Sequence, residues 1–388
     1  MKDFVVIGGG ISGLVAAYRT TKAGFNTVLF EEGGTLGGRL KNCINLTNPK
    51  FNPKLYKLIK EFDIEGADSS FTPDLMGIVH GKDVFGCDIP GMLANLPPKE
   101  GEYMQKIMGE AMQSTFDPFN PSENLLRLRE ISFEDYLKDC PPALIEKMIK
   151  PMLVFTFLED IDISKLSAEY CLFRIRFESE VINEKARTLE EGSVLSSLIE
   201  REASSSGMEA CCFTEVEKVE KTECGFRVYY NHLGSRGEVD TKKVISSIPL
   251  NTAERVIPGL DIGKGVFYSS TKCIFLSGET KNDYRIYIGF PNNEANLRVL
   301  YLGEYEQHFL YPFYGEQPVD FSMIYNDYRV EREEWVREAF PSFSPGAKVP
   351  GVKTSIDGLY LCGDFFYYPS VETSIHAGEE AARIAMEE

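Results

Sequence analysis

Histidine is scarce in this 388-residue chain, and the four present (His80, His232, His308, His376) are too scattered to suggest a metal centre or a catalytic triad. Basic charge is also short: 41 Lys and Arg stand against 59 Asp and Glu, a net charge of −18, which argues against a nucleic-acid or anionic-membrane partner. No apolar run is long enough to span a bilayer, and the apolar stretch at the start ends in glycines, as a strand does and a signal peptide does not. Nine cysteines form no C-x-x-C pair and no metal-ligand spacing. An odd, irregular set of this kind is expected to be reduced thiols in a cytoplasmic protein. Oligomeric state leaves no signature.

What is present begins at Asp3. Phe4-Val5-Val6-Ile7 reads as a strand buried on both faces, and Gly8-Gly9-Gly10-Ile11-Ser12-Gly13 follows it. A helix is expected over Leu14–Ala23, with Gly24 at its C-terminus, then a second strand Thr27–Phe30 ending on Glu31. This is G-x-G-x-x-G in the strand, turn, helix, strand, acid setting that binds a dinucleotide. Gly8 allows the tight turn, Gly10 lets backbone approach a pyrophosphate, and Gly13 permits close helix–strand packing. The free N–H groups at the helix start, at Ile11 and Ser12, favour phosphate. Glu31, eighteen residues past Gly13, is placed to accept from a ribose diol. No second fingerprint exists, which argues against a nicotinamide-linked flavin reductase with paired nucleotide domains.

Downstream, Glu32-Gly33-Gly34-Thr35-Leu36-Gly37-Gly38-Arg39 sets Gly-Gly-Arg six residues after the acid. Here the chain resembles the flavin-containing amine oxidase superfamily, which includes monoamine and polyamine oxidases, protoporphyrinogen oxidases and phytoene desaturases. The resemblance implies FAD, with Glu31, Glu32, Gly38 and Arg39 among its contacts and the arginine reaching the pyrophosphate. Later segments carry it on. Glu191-Gly192-Ser193 and Val194–Leu198 resemble a G-G-x-x-x-L-x-x-L segment, and Val216 falls where the family places a valine whose backbone meets adenine. Lys243–Pro249 resembles its V-I-x-x-x-P crossover. Near the end, Gly358-Leu359-Tyr360 leads to Gly363-Asp364, and Val371-Glu372 to Gly378 and Ala381-Ala382. By this resemblance Asp364 accepts a ribitol hydroxyl, and the Val371 and Glu372 amides open a helix aimed at flavin N1/C2=O. No cysteine lies in the loop after Asp364, so FAD is expected to be non-covalent. Ser370 stands where monoamine oxidases put a cage tyrosine, and the D-x-G-type segment expected after Gly-Gly-Arg is missing from 41–53.

The fold class expected is α/β, with an α+β substrate part: a Rossmann-type FAD-binding domain carrying a discontinuous, partly helical substrate domain. The FAD-binding domain is expected over 1–72, 186–262 and 346–388, and the substrate domain over 73–185 and 263–345. Helices are expected at Lys54–Phe62, Met104–Met112, Ile131–Leu137, Ala143–Phe157 and Ala168–Phe177, and Trp335 in a helix rich in Glu and Arg. Apolar Met148, Met152, Leu153, Phe155 and Phe157 read as core. The aromatics Tyr284, Tyr287, Phe290, Tyr301, Tyr305, Phe309, Tyr311, Phe313 and Tyr314 read mostly as sheet packing.

Ser270–Phe275 reads as a strand that bears Lys272. In amine-oxidising members a lysine at this point in the order holds a water at flavin N5, so Lys272 is the candidate catalytic residue; a solvated edge lysine is the competing reading. Function follows as two-electron oxidation of a small organic, amine-like substrate by transfer to flavin N5, with an unidentified electron acceptor. Three alternatives stay open: dehydrogenation of a hydrophobic or porphyrinogen-like substrate, favoured by Ser370; a non-redox isomerase of the UDP-galactopyranose mutase type; and a binding protein like the GDP-dissociation inhibitors. Glu31, Arg39 and Asp364 argue against the last.

Overall fold

The structure is a computed structural model of the whole chain. It describes residues 1–42, 45–47, 49–64, 69–71, 76–87, 89–153, 162–183, 186–189, 192–284, 286–289, 299–302, 308–311 and 319–388. Phe155, Phe157, Glu191, Phe290, Tyr305, Phe313 and Tyr314 lie outside the described residues. The chain divides into two units: Met1–Ser69 with Thr188–Val266 and Lys348–Glu388, and Ser70–Arg187 with Phe267–Ala347.

The first unit is built on a seven-stranded sheet. Lys2–Ile7 lies at its centre, parallel to Thr27–Phe30 on one side and to the end of Ser235–Ser246 on the other. Glu209–Cys211 and Leu359–Leu361 extend the parallel part outward. Its central strands are apolar throughout because both faces are covered: Phe4, Val5, Val6 and Ile7 are all buried, as are Val28, Leu29 and Phe30. Ser235–Ser246 is longer than expected, and its first half pairs antiparallel with Gly225–His232, which pairs in turn with Thr214–Thr222.

The first helix runs from Ile11 to Lys22, starting three residues earlier than the spacing suggests, because Gly10 already serves as its N-cap. Val371–Glu387 packs beside it. At the crossing, a Cβ on Gly378 would stand 2.3 Å from the Ser12 carbonyl oxygen, so only glycine permits this approach. Pro53–Glu61 completes the cluster, with Leu55, Leu58 and Ile59 turned inward at helical spacing.

The second unit holds its own seven-stranded sheet, in the order Tyr325–Lys348, Lys264–Thr280, His308–Tyr311, Val299–Leu302, Ile286–Gly289, Met76–His80, Asp83–Cys87. Val79, Ile274, Leu276, Tyr287, Phe321, Ile324 and Tyr325 form a core against it. The helices Pro98–Gln113, Glu123–Arg129 and Ala168–Asn183 belong here too. The buried Glu169 carboxylate accepts from Arg129 Nε at 2.6 Å and Nη2 at 2.9 Å.

One expectation is corrected and one is refined. Trp335 is on the strand Tyr325–Lys348, not in a helix, and is 63% exposed. Glu and Arg favour helix only weakly, and pairing with Lys264–Thr280 overrides that preference. The helix expected over Ala143–Phe157 is present without interruption from Pro142 to Met152, its middle turn Ile145–Ile149 being π-helical, and 154–157 lie outside the described residues. Pro151 has no N–H to donate, and the hydrogen-bond ladder ahead of it widens.

Among the described residues, no helix is long and apolar enough to cross a membrane, and no cluster of three or more His, Cys, Asp or Glu could hold a metal ion.

Candidate functional site

The site assembles in the first unit, where the strand Lys2–Ile7 gives way to the first helix. Gly8 adopts φ +97°, open to glycine at little cost, and its amide donates to the Phe30 carbonyl at 2.8 Å. Gly13 sits so close beneath this turn that a Cβ would lie 2.1 Å from the Gly8 oxygen and 2.4 Å from Ser247 Oγ. Ser247 braces the turn, with its hydroxyl donating to the Gly8 carbonyl at 2.8 Å. At Gly10, by contrast, a Cβ would meet nothing within 4 Å. One glycine is therefore required by packing, and the other leaves open space at a helix N-terminus.

That N-terminus is bare. Gly10 has no side chain to cap the helix, and the first turn carries no acidic residue. The Ile11 and Ser12 amides thus have no partner in their own helix, and the positive end of the helix dipole is uncompensated by side chains. Both residues are buried, at 7% and 4% exposure. Ser12 neighbours Cys362, whose thiol burial pushes up to about 12 while the Ser12 hydroxyl acts the other way; such a thiol is inert.

Glu31 terminates the second strand. One carboxylate oxygen accepts from the Gly9 amide at 2.6 Å and the other from the Gly33 amide at 2.7 Å. The side chain is therefore pinned by backbone within the glycine turn itself, and each oxygen keeps a lone pair for a diol. Glu32 beside it is exposed. The Gly37 amide donates to the Gly9 carbonyl at 2.8 Å, drawing the Gly-Gly-Arg loop onto the glycine turn. A Cβ on Gly38, at φ +54°, would come 3.0 Å from the Gly10 Cα. Arg39 is delivered to the same place, with its Nη1 2.8 Å from Asp364 Oδ2.

Asp364 arrives on the turn after Leu359–Leu361 and is 9% exposed. Gly363 before it holds φ +157°, and a Cβ there would strike the Phe365 ring at 2.4 Å. The closing helix begins at Val371, and the Ser370 hydroxyl accepts from the Thr373 amide at 3.1 Å. Ser370 is thus an N-cap, which leaves the Val371 and Glu372 amides without helical partners. The Glu372 side chain points elsewhere: its carboxylate accepts from the Lys54 amide at 2.9 and 3.1 Å and from the Leu55 amide at 3.1 Å, capping the neighbouring helix. Burial raises its pKa, and the amides of Lys54 and Leu55 act against that. Val216 lies on Thr214–Thr222, the last strand of the sheet order, and the amide of Thr214 donates to the Glu31 carbonyl at 2.8 Å.

Gly8, Gly10, Ile11, Ser12, Gly13, Glu31, Gly38 and Arg39 are therefore gathered around one turn, with Asp364 joined to them through Arg39. A dinucleotide fits this donor set: open space at Gly10, a bare helix N-terminus for phosphate, and a backbone-pinned carboxylate for a diol.

Comparison with known proteins bears on the same region. Residues 6–53 match the NAD(P)-binding Rossmann-like domain family. No curated protein sequence matches the chain. Solved structures do match it along its whole length. Putrescine oxidase bound to putrescine aligns at TM-score 0.72 and 15% identity, covering 100% of this chain and 99% of that one. Cyclohexylamine oxidase from Brevibacterium oxydans aligns at TM-score 0.74 and 14% identity, covering 100% and 99%. A candidate protoporphyrinogen oxidase from Exiguobacterium aligns at TM-score 0.65 and 16% identity, covering 100% and 99%. The chain has the fold of these oxidases.

Lys272 belongs to the second unit of that fold. Its Nζ is 2.6 Å from Glu333 Oε2 and 5.9 Å from the centre of the Trp335 ring. The ammonium is thus committed to a half-exposed carboxylate on the adjacent strand. Two contributors to the first unit's site went unread in the sequence: Ser247, and Glu372 as a cap on another helix. Ser247 had a usable signal, a small hydroxyl residue at the end of a buried strand, beside the turn it braces. The reach of Glu372 to Lys54 spans most of the chain and left none.

Proposed function

We propose that the protein is an FAD-dependent oxidoreductase that removes two electrons from a small organic, amine-like substrate. The observation that carries the reading is the backbone-pinned Glu31 beside an open Gly10 and a bare helix N-terminus. The fold shared with putrescine and cyclohexylamine oxidases supports the amine-like substrate class.

In this reading the residues of 1–69, 188–266 and 348–388 hold the cofactor, and those of 70–187 and 267–347 shape the substrate site. Glu31 holds the adenosine ribose, the Ile11 and Ser12 amides and Arg39 hold the pyrophosphate, and Asp364 takes the ribitol. To reach phosphate, Arg39 shares its guanidinium with Asp364, whose carboxylate keeps it aimed. The Val371 and Glu372 amides supply a positive dipole end for charge that accumulates on reduction. Bound flavin would supply the two-electron acceptor at N5; the chain supplies position and electrostatics. The binding is non-covalent. Lys272 is assigned a water-holding, proton-handling role, and that role requires its pair with Glu333 to open.

A second reading, dehydrogenation of a hydrophobic substrate, is favoured by Ser370. Its hydroxyl is engaged as a helix cap where an amine-cage tyrosine would be expected. Anaerobic titration of the FAD-loaded protein separates the two. Bleaching of the flavin by primary amines or diamines supports the first reading. Bleaching by porphyrinogen-like or polyene substrates alone supports the second, and bleaching by neither refutes both.

A further inference from the structure

Four non-glycine residues among those described have positive φ, and two of them, Phe213 at +53° and Leu233 at +49°, are hydrogen-bonded neighbours. A left-handed backbone is costly for a bulky residue, and such costs persist where something is gained by aiming the side chain. Core packing is not that gain for Phe213. The residue is 53% exposed, although it belongs to a segment laid tightly along the end of the second strand. Its amide donates to the Gly33 carbonyl at 2.9 Å, and the next amide, of Thr214, donates to the Glu31 carbonyl at 2.8 Å.

The ring is parked over the turn that carries the ribose acid. A Cβ on Gly34 would lie 2.6 Å from Phe213 Cζ, and a Cβ on Gly33 would lie 2.9 Å from Glu31 Oε1. Two consecutive glycines thus clear room for two groups, a carboxylate beside the first and the distal end of an aromatic ring beside the second. Consecutive Cα atoms are about 3.8 Å apart, so ring edge and carboxylate stand within roughly 10 Å of each other. One adenosine can therefore reach both groups at once.

We propose that Phe213 is an aromatic platform on which the adenine ring of the dinucleotide stacks. The proposal rests on the FAD reading above and extends it to the adenosine end. Glu31 fixes the ribose, and Phe213 then offers its exposed face to the attached base. Glycine at 33 and 34 keeps both groups accessible. Stacking of this kind is tolerant of base identity, so the platform adds affinity for the purine half as a whole without reading its edge. Leu233, 72% exposed on the neighbouring hairpin tip, would border the platform.

The test uses the full chain stripped of flavin and titrated calorimetrically with ADP, comparing wild type with Phe213→Ala, Phe213→Leu and Phe213→Trp. Loss of the aromatic face should weaken ADP about tenfold in both the alanine and leucine variants, and tryptophan should restore wild-type affinity. Leucine keeps an apolar side chain, so a merely structural role would not separate it from tryptophan. Thermal unfolding without ligand should be unchanged or slightly improved in all three, which shows that each folds. Equal ADP affinity for phenylalanine, leucine and alanine, with FAD still bound by wild type, overturns the platform alone. A wild-type protein that binds neither ADP nor FAD overturns the cofactor reading beneath it.

Discussion

Glu31 in the first unit and Lys272 in the second are both charged residues held by short hydrogen-bonded contacts, yet their surroundings are built in different ways. Glu31 is fixed by backbone amides of its own motif, Gly9 and Gly33, so its geometry follows from a stretch of forty residues. Lys272 is fixed by a side chain, Glu333, brought in by a strand from a distant part of the sequence. The first arrangement presents a carboxylate to a ligand with little freedom to turn away. The second is an ion pair between two side chains, of which Glu333 is half exposed. The carboxylate assigned to the ribose is therefore held rigidly by its own motif, whereas Asp364, Ser247 and the pair made by Lys272 depend on contacts that only the fold assembles.

The contrast is broken most forcefully inside the glycine turn. Gly13→Ala places a methyl 2.1 Å from the Gly8 oxygen and should cost about 3 kcal/mol or more, read as a large fall in the urea midpoint. Gly10→Ala meets open space at φ −61° and should leave that midpoint nearly unchanged while FAD affinity drops. If both variants behave alike, packing and ligand space are not divided between these glycines as described.

In the second unit the matching lesion is structural. Glu169→Gln leaves the buried Arg129 guanidinium without its counter-charge and should cost about 3–5 kcal/mol. A loss below about 1 kcal/mol would show the pair to be relaxed and solvated.

Acid should act on the first unit through Glu61. Burial would raise the Glu61 carboxyl, but hydrogen bonds from Arg19, Lys22 and Tyr18 outweigh it and hold the group down at about 2, against an ordinary 4.5. A depressed carboxylate contributes stability that is complete above its unfolded pKa and disappears as pH falls through the folded one. The thermal midpoint should therefore decline from pH 4.5 towards 2, and Glu61→Gln should flatten that decline. Identical profiles would remove Glu61 as the cause.

The smallest stability effect belongs to Lys272→Met, below about 1 kcal/mol, because Glu333 is half exposed. Its kinetic effect separates the readings: flavin reduction or reoxidation slowed about tenfold or more supports proton handling, and unchanged rates leave Lys272 as a surface partner of Glu333.

The legibility of the sequence divides along the same line. The strand, glycine turn, helix and second strand of Lys2–Phe30 are readable because each depends on neighbours: apolar runs, a glycine at φ +97°, an acid at the strand end. The closing helix is readable for a similar reason, since Gly378 packs on Ser12 and the small Ala381 and Ala382 at helical spacing are buried with it. Trp335 departs from the expected helix because its segment is rich in helix formers and only a strand far upstream makes it extended. Pro151 leaves a milder mark, a π-helical turn over Ile145–Ile149 inside a helix that continues past it. Phe213 carries no signal of its own, because an exposed aromatic means nothing until the turn beneath it is known.

The most direct measurement is the absorption spectrum of the purified protein, followed by heat or acid release of whatever chromophore it holds. A yellow protein with bands near those of oxidised flavin, releasing about one FAD per chain into the supernatant, is the predicted result, with Glu31→Ala retaining less by a few kcal/mol at most. A colourless protein that reconstitutes with neither FAD nor FMN would contradict it.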